Sequence, residues 1–381
     1  MTLHGDIQVT RRYVIGTNKE GSFPVDAALG LDEHGVSPGA REVACRLGME
    51  YCFRQVADDA RRFVGLTVGR ELLRGIVERE GARIMRVRDS GVLPARFTAA
   101  DCLPDPTKDP TLSRIYAGVD GVFVPVISQQ EKAKRRAKSE QRRALLAAAG
   151  KAPLAPLPPM KPGHSDRYKE MKLVVFYGQN KDFMHVAVTG GDCHIAGALL
   201  GVHAAQVQMQ SATETVSLTD GAVWIIIQLD IHLPFITAKI LDNCHLKQHV
   251  HAASERAFRD RDEANTWTDD RMREFKEAGA VVALAAFAEA RDHVTTQAGR
   301  DGLDGLIGYA SERVKMLGYK EALAKGWDIG SGPTESNCKT HARRLKISGG
   351  KWDTDNPEKM MNLIALKYSG QWEAYWSRLA A

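Results

Sequence analysis

Between Ile115 and Asp242 the chain offers five apolar, β-type runs, and from Leu246 to about Lys325 it offers none. The runs are "IYAGVDGVFVPVI" from Ile115 to Ile127, "KLVVFYG" from Lys172, "HVAVTGG" from His185, "ETVSLTD" ending at Thr219-Asp220-Gly221, and "PFITAKILD" ending at Asp242. An amphipathic helix around Ile195 to Gln210 separates the third from the fourth, and an apolar helix-like stretch follows Gly221. The strand-free block has helical periodicity and is rich in Ala, Arg and Glu. This order predicts an α/β fold with a mixed sheet, interrupted by an all-helical insertion.

The remaining segments divide around that frame. Residues 1–35 form a polar, turn-rich segment, and residues 36–100 read as a helical region. Apolar residues recur at three- and four-residue spacing in "REVACRLGMEYCFRQVADDARRFVG" and "TVGRELLRGIVEREG". Ser37 before Pro38 predicts one helix start, and Thr67 after the break at Gly65 predicts the cap of the last helix. Three short helices suit a helix-turn-helix-like DNA-binding region, with Arg70 and Arg74 one turn apart on the groove-reading face; a small structural bundle has the same pattern. Within the sheet region, 110–245, residues 129–165 form a basic and then proline-rich insertion. Composition marks it as a mobile linker between strands, while its cations from Lys132 to Arg143, Arg135 and Arg136 among them, could lie along a phosphate backbone. The helical insertion covers 246–325, and 326–381 returns to complete the core.

The bulk composition excludes little. A net charge of +5 over 381 residues is a weak pointer to a polyanionic partner. No run of about 18 apolar residues is present to span a bilayer, and "MTLHGDIQVTRRY" lacks the apolar centre of a signal peptide, so an intracellular protein without membrane contact is expected. The six cysteines are scattered, with no C-x-x-C pair, and support neither a zinc knuckle nor a disulfide framework.

Chemistry is suggested by acids rather than cysteines. Asp120 interrupts an apolar β run, where an unpaired charge is costly. Asp220 ends the fourth run, and Glu335 enters a helix through "GWDIGSGPTESNCK". Each has an ordinary reading, Asp before Gly as a turn former and Glu335 as a first-turn acid favoured by the helix dipole behind Ser331 or Gly332 as cap and Pro333. Together they suit the carboxylate set of two-metal phosphoryl chemistry, which favours Mg²⁺ as a hard, oxygen-seeking ion. Lys339 and Arg343, at four-residue steps from Glu335, share its helix face, and with Arg344 and Lys346 they would lay positive charge along the DNA strand leading from the scissile phosphate.

The words "DGVFVPV", "TDGAVWI", "ILDNCH" and "GWDIGSGPTESNCK…RLKISGGKWD", in that order and with the helical block between the last two, resemble bacterial insertion-sequence transposases of the ISKra group. Those are DDE enzymes related to the Mutator-like transposases. The likeness extends to "FPVDAALGL" and "VSPGA" near the start and "MMNLIALKYSGQWEAYW" near the end. It implies an RNase H-like core with a helical insertion between its fifth strand and the glutamate helix. It also implies a catalytic, metal-binding triad of Asp120, Asp220 and Glu335, with Asp242 and His245 matching an Asp/Cys-x-x-His motif at the entrance to the insertion. Mg²⁺, with Mn²⁺ as substitute, is the implied cofactor. The implied partners are the element's terminal repeats, target DNA and at least one further copy of the chain, in the bacterial cytoplasm at the nucleoid. A strand ending beside the catalytic sheet would let His245 contact DNA near the cut with Asp242 orienting its ring; the ordinary alternative is that the histidine caps or pairs with the acid beside it. Two rival readings are a catalytically inactive DNA-binding descendant and an RNase H-like nuclease without strand transfer.

Overall fold

The computed structural model describes residues 1–380 except 3–6, 9, 16–20, 66 and 153. Ten of the 35 residues of the N-terminal polar segment therefore lie outside the described residues. Five strands make the central sheet: β1 (Arg114–Pro125), β2 (Tyr168–Gly178), β3 (Met184–Thr189), β4 (Glu214–Thr219) and β5 (Ala238–Leu241). Their spatial order is β3-β2-β1-β4-β5, antiparallel through the first three and parallel from β1 to β4 to β5. The α/β class and the mixed sheet expected from the sequence are present, and the sheet is open.

Strand periodicity assigns the two faces. Ile115, Ala117 and Val119 of β1, with Val174 and Phe176 of β2, pack under α5 (Cys193–Gln206) and α6 (Val223–His232) through Leu200, Ala204, Ile225 and Leu229. Tyr116, Leu173, Val175 and Tyr177 face the other way, into a larger core. Asp120 is in register with Tyr116 and Gly118, so it belongs to that second face. Contrary to the expected amphipathic pattern, α5 is apolar nearly all round, with Ile195 and Val202 left exposed.

The second face is covered by helices from three parts of the chain. α1 (Pro38–Gly48), α2 (Phe53–Val64) and α3 (Arg70–Asp89) come first, then α7 (Asn243–Ala257) to α11 (Tyr319–Ala324), and last α12 (Gly332–Arg343), α13 (Asn356–Tyr368) and α14 (Trp372–Ala380). Cys45, Met49, Val77 and Ile84 share one core with Leu363, Trp372 and the sheet. α3 crosses α13 so closely that a Cβ on Gly81 would lie 2.6 Å from the Lys359 carbonyl oxygen. The N-terminal helices are thus packed into the body of the protein. Ser37 caps α1 as expected, its hydroxyl accepting from the Ala40 amide at 3.3 Å. Thr67 does not cap α3; Gly69 holds that position without a side-chain bond.

In the insertion, α8 (Arg261–Glu277), α9 (Ala280–His293) and α10 (Gln297–Glu312) pack Phe275, Phe287, Leu303 and Leu306 into a core continuous with the sheet. The segment 129–165 differs from the expected linker. Its first half is a 20-residue helix, α4 (Gln129–Ala148), capped by Ser128 and with no fully buried residue. Charged side chains at four-residue spacing favour the helix, as in Arg135–Glu131 and Arg136–Glu140. The second half runs back along it. Among the described residues no helix is long and apolar enough to cross a membrane.

Candidate active site

The first half of the site is built where the parallel part of the sheet begins. Asp120 sits inside β1, half-buried, and its Oδ1 accepts from the Gly121 amide at 2.7 Å. Asp220 follows β4, the parallel neighbour of β1, and its Oδ1 accepts from Ala222 N at 2.9 Å in a local turn. That turn is held from the helical insertion. Tyr309 donates its hydroxyl to the Asp220 carbonyl at 3.2 Å, and Arg313 Nε donates to the Gly221 carbonyl at 2.9 Å. Gly221 has φ of 73°, and a Cβ there would lie 2.6 Å from Leu241 Cδ1, so both backbone angle and space require glycine.

Glu335 arrives from the far side of the insertion through a chain of directional contacts. Buried Arg114, at the start of β1, donates to the Gly326 carbonyl at 2.7 Å, the Lys325 carbonyl at 2.9 Å and Glu214 at 2.6 Å. The Asp328 amide donates to Tyr116 Oη at 2.9 Å, and the Asn243 amide to the Ile329 carbonyl at 2.9 Å. The Ser331 amide then donates to Asp242 Oδ2. Ser331 and Pro333 start α12 as the sequence predicts, although the Ser331 hydroxyl makes no capping bond. α12 meets β1 at Gly118, where a Cβ would be 1.8 Å from Thr334 Oγ1. The bare glycine lets the helix seat directly on the strand two residues before Asp120. A glycine inside an apolar strand was the available sequence signal for this close approach.

The result is an open cleft of about 700 Å³ lined by Asp120, His245, Glu335, Lys339, Arg343 and Lys346, among others. Burial raises the pKa of Asp120 above the usual carboxylate range. Hydrogen bonds from Cys338 and the Gly121 amide oppose that shift, the negative charge of Asp220 adds to it, and His245 opposes it. Cys338, one turn after Glu335 on α12, was not singled out from the sequence. Its own thiol is pushed up by burial and then by the charge of Asp120, so it serves as a neutral donor to that carboxylate.

The sequence-predicted residues separate into groups. Glu335, Lys339 and Arg343 do share one wall of the cleft, with Lys339 Nζ 3.3 Å from Glu335 and Arg343 paired to Glu50 at 2.8 Å. Lys346 is exposed on the same wall. Arg344 is buried instead; its Nε donates to the Gly48 carbonyl at 2.8 Å and its guanidinium lies over Phe53 and Trp352. It joins α12 to the N-terminal helices and has no surface for DNA. Arg70 and Arg74 are exposed at the start of α3, both paired to Glu71.

Asp242 requires a correction as well. It is fully buried, capping α7 with Oδ1 on the His245 amide at 2.8 Å while Oδ2 takes the Ser331 amide. Asp242 therefore joins the entrance of the insertion to the start of the glutamate helix and cannot face DNA. It bonds the backbone of His245, with no hydrogen bond to the ring. Among the described residues, the three-residue group of potential metal ligands with atoms within 4.8 Å of one another is Asp242, His245 and Glu335. Asp120, Asp220 and Glu335 are not gathered to that distance. Since both oxygens of Asp242 already accept amides, the side chains of this group that open to the cleft are His245 and Glu335. Comparison with protein-family models and with curated proteins gives no match.

Proposed function

We propose that the chain is a DNA transposase of the DDE type, with an RNase H-like catalytic core and Asp120, Asp220 and Glu335 as its metal-binding acids. The observation that carries this reading is the convergence of Asp120 and Glu335 on one cation-walled cleft while the charge of Asp220 acts on Asp120. The strand order and directions agree with the core that the sequence motifs imply.

The residues suit Mg²⁺, with Mn²⁺ as a substitute. Carboxylate oxygens are hard donors, and the pKa of Asp120 is raised first by burial and further by the negative charge of Asp220, a charge that a bound divalent cation would offset. Bound Mg²⁺ supplies activation of the attacking oxygen and neutralisation of the leaving one. The rest is work for the chain's own side chains. Lys339, Arg343 and Lys346 bind the phosphates of the strand beyond the cut, and His245 contacts the DNA from α7. Cys338 and the Gly121 amide hold the Asp120 carboxylate in place. In the hydrolytic step water attacks phosphorus and the 3′ oxygen leaves with a proton; the freed 3′-OH then loses its proton as it attacks a target phosphodiester, whose own 3′ oxygen leaves and is protonated.

Two transposon ends require two such sites, hence a dimer or higher oligomer on DNA. The place of action is the bacterial cytoplasm, at the nucleoid. The helices α1–α3 would bind terminal repeats in a helix-turn-helix-like manner through Arg70 and Arg74. The test uses DNA bearing the element's ends and a target plasmid. Wild type should cleave and join with Mg²⁺, whereas Asp120→Asn, Asp220→Asn and Glu335→Gln should bind DNA without cutting. Cleavage with no joining would favour a nuclease. Binding with no cleavage by wild type would favour an inactive descendant.

A further inference from the structure

The basic arm of residues 129–165 has two differently used faces. Lys132, Arg136 and Arg143 lie on one side of α4 by helical spacing. They donate to the carbonyls of Pro162 at 3.0 Å, Pro158 at 2.6 Å and Leu154 at 3.4 Å. These acceptors step backwards along the returning segment as the donors step forwards, which fixes an antiparallel helix–strap hairpin. At its foot, Gly163 approaches so closely that a Cβ would be 2.5 Å from Gln129 N. Lys132 also pairs with Asp353 at 2.7 Å, anchoring the helix to the loop after α12.

Lys134, Lys138 and Arg142 occupy the opposite side, at successive four-residue steps, and are all exposed. No hydrogen bond or ion pair holds any of them among the described residues. Arg135 and Arg136, the cations singled out from the sequence, are by contrast held by Glu131 and Glu140. A shallow basin at the helix base adds exposed Arg167 and Lys351 to Lys134 and Lys138, with Glu131 as its acid. Lys351 follows the cleft-lining Lys346 by five residues. Positive charge therefore continues from the cleft wall onto the arm.

We propose that the face of α4 carrying Lys134, Lys138 and Arg142, with Arg167 at its foot, binds the sugar–phosphate backbone of duplex DNA, extending the contact made in the cleft. This deepens the DNA-transposase reading and rests on it for the choice of DNA as polyanion. Four residues of helix advance about 6 Å. Successive phosphates along one strand step about 3.4 Å along the axis and a tenth of a turn around it, and so lie about 7 Å apart. Three cations at nearly that interval match successive phosphates and carry no base information, so the contact is independent of sequence.

The test measures binding of a random-sequence duplex to the full-length chain by fluorescence anisotropy across a salt series. The variant is Lys134→Ala/Lys138→Ala/Arg142→Ala, with Lys132→Ala/Arg136→Ala as the comparison from the strapped face. The triple variant should reduce the slope of log affinity against log salt by about 2.7 and weaken binding on the order of a hundredfold at 0.1 M salt. Its melting temperature should match wild type, since no intramolecular contact is removed. An unchanged slope would overturn the proposal, and so would an equal loss in the strapped-face variant at unchanged folding. Loss of binding to vesicles of anionic phospholipid with retained DNA binding would overturn it in favour of a membrane surface. Because the readout is binding, a wild-type chain that binds with the predicted slope but never cuts DNA would sink the catalytic reading and leave this one standing.

Discussion

Gly118→Ala tests how the site is assembled. The new Cβ would fall 1.8 Å from Thr334 Oγ1, 3.0 Å from Thr334 Cβ and 3.2 Å from its Cγ2. Oγ1 has no hydrogen-bond partner, so a χ1 rotation removes the worst contact at little cost. The Cβ–Cβ distance remains. Carbon atoms prefer about 3.5–4.0 Å, so α12 must withdraw by about 0.5–1 Å. Overpacking of this kind costs about 1–3 kcal/mol. Catalytic groups tolerate roughly 0.5 Å of displacement, and about 1 Å can cost on the order of a hundredfold in rate. Glu335 adjoins Thr334, so metal-dependent nicking should fall roughly 10- to 100-fold, a larger effect than folded-state loss alone would give. Single-turnover nicking per folded molecule, with thermal denaturation alongside, separates the two. Adding Thr334→Ala, which deletes Oγ1 and Cγ2, should recover part of the stability and activity. Wild-type nicking and melting by Gly118→Ala would refute the claim that this glycine seats the glutamate helix.

Asp242→Ala should destabilise the fold by about 2–4 kcal/mol, because it removes a cap and leaves the buried Ser331 amide without its acceptor; a melting temperature within a degree of wild type would contradict that role. His245→Ala should instead lower cleavage with little change in melting temperature, so the two neighbours part in one pair of assays. Arg313→Ala frees the Gly221 carbonyl from the insertion and should reduce cleavage roughly tenfold while leaving random-sequence DNA binding intact. Burial lowers the pKa of His185 well below its usual value, that of His203 to about 3 and that of His341 to about 4. These rings stay neutral in the fold while the unfolded chain takes up protons near pH 6.5, so stability is fully present above that pH and falls as pH drops towards 4. Each ring should contribute a loss of about 1.4 kcal/mol at pH 5.5, measurable by urea denaturation; stability that is flat from pH 7.5 to 5 would exclude it.

Local pattern carried much of the sheet. Short apolar runs, buried on both faces of the sheet, located all five strands, and acids at the end of a run or inside one located Asp120 and Asp220. Pairing across long separations was not legible. Asp242 closes a short strand before a polar helix start, which reads as surface; its second partner, Ser331, lies 89 residues away. Arg344 looks like one more cation at a helix end, and only the approach of Phe53 and Trp352 makes it internal. For α4 the composition was misleading in a different way. Its charges and the prolines after it each suggest solvent, but carbonyls freed by an extended, proline-rich strap are acceptors that arginine and lysine can reach.

The insertion also sets a schedule. Glu335 follows Asp220 by 115 residues. At ordinary elongation rates of about 5–20 residues per second, the third acid is made roughly 6 to 23 seconds after the second. During that interval the nascent sheet carries two of its acids, and Asp242 has no Ser331 amide to receive. A chain released early by premature termination within the insertion would hold the strands and the basic arm without the glutamate helix. The cleft thus stays incomplete until translation has passed the insertion, and no chain that stops before Glu335 holds all three acids.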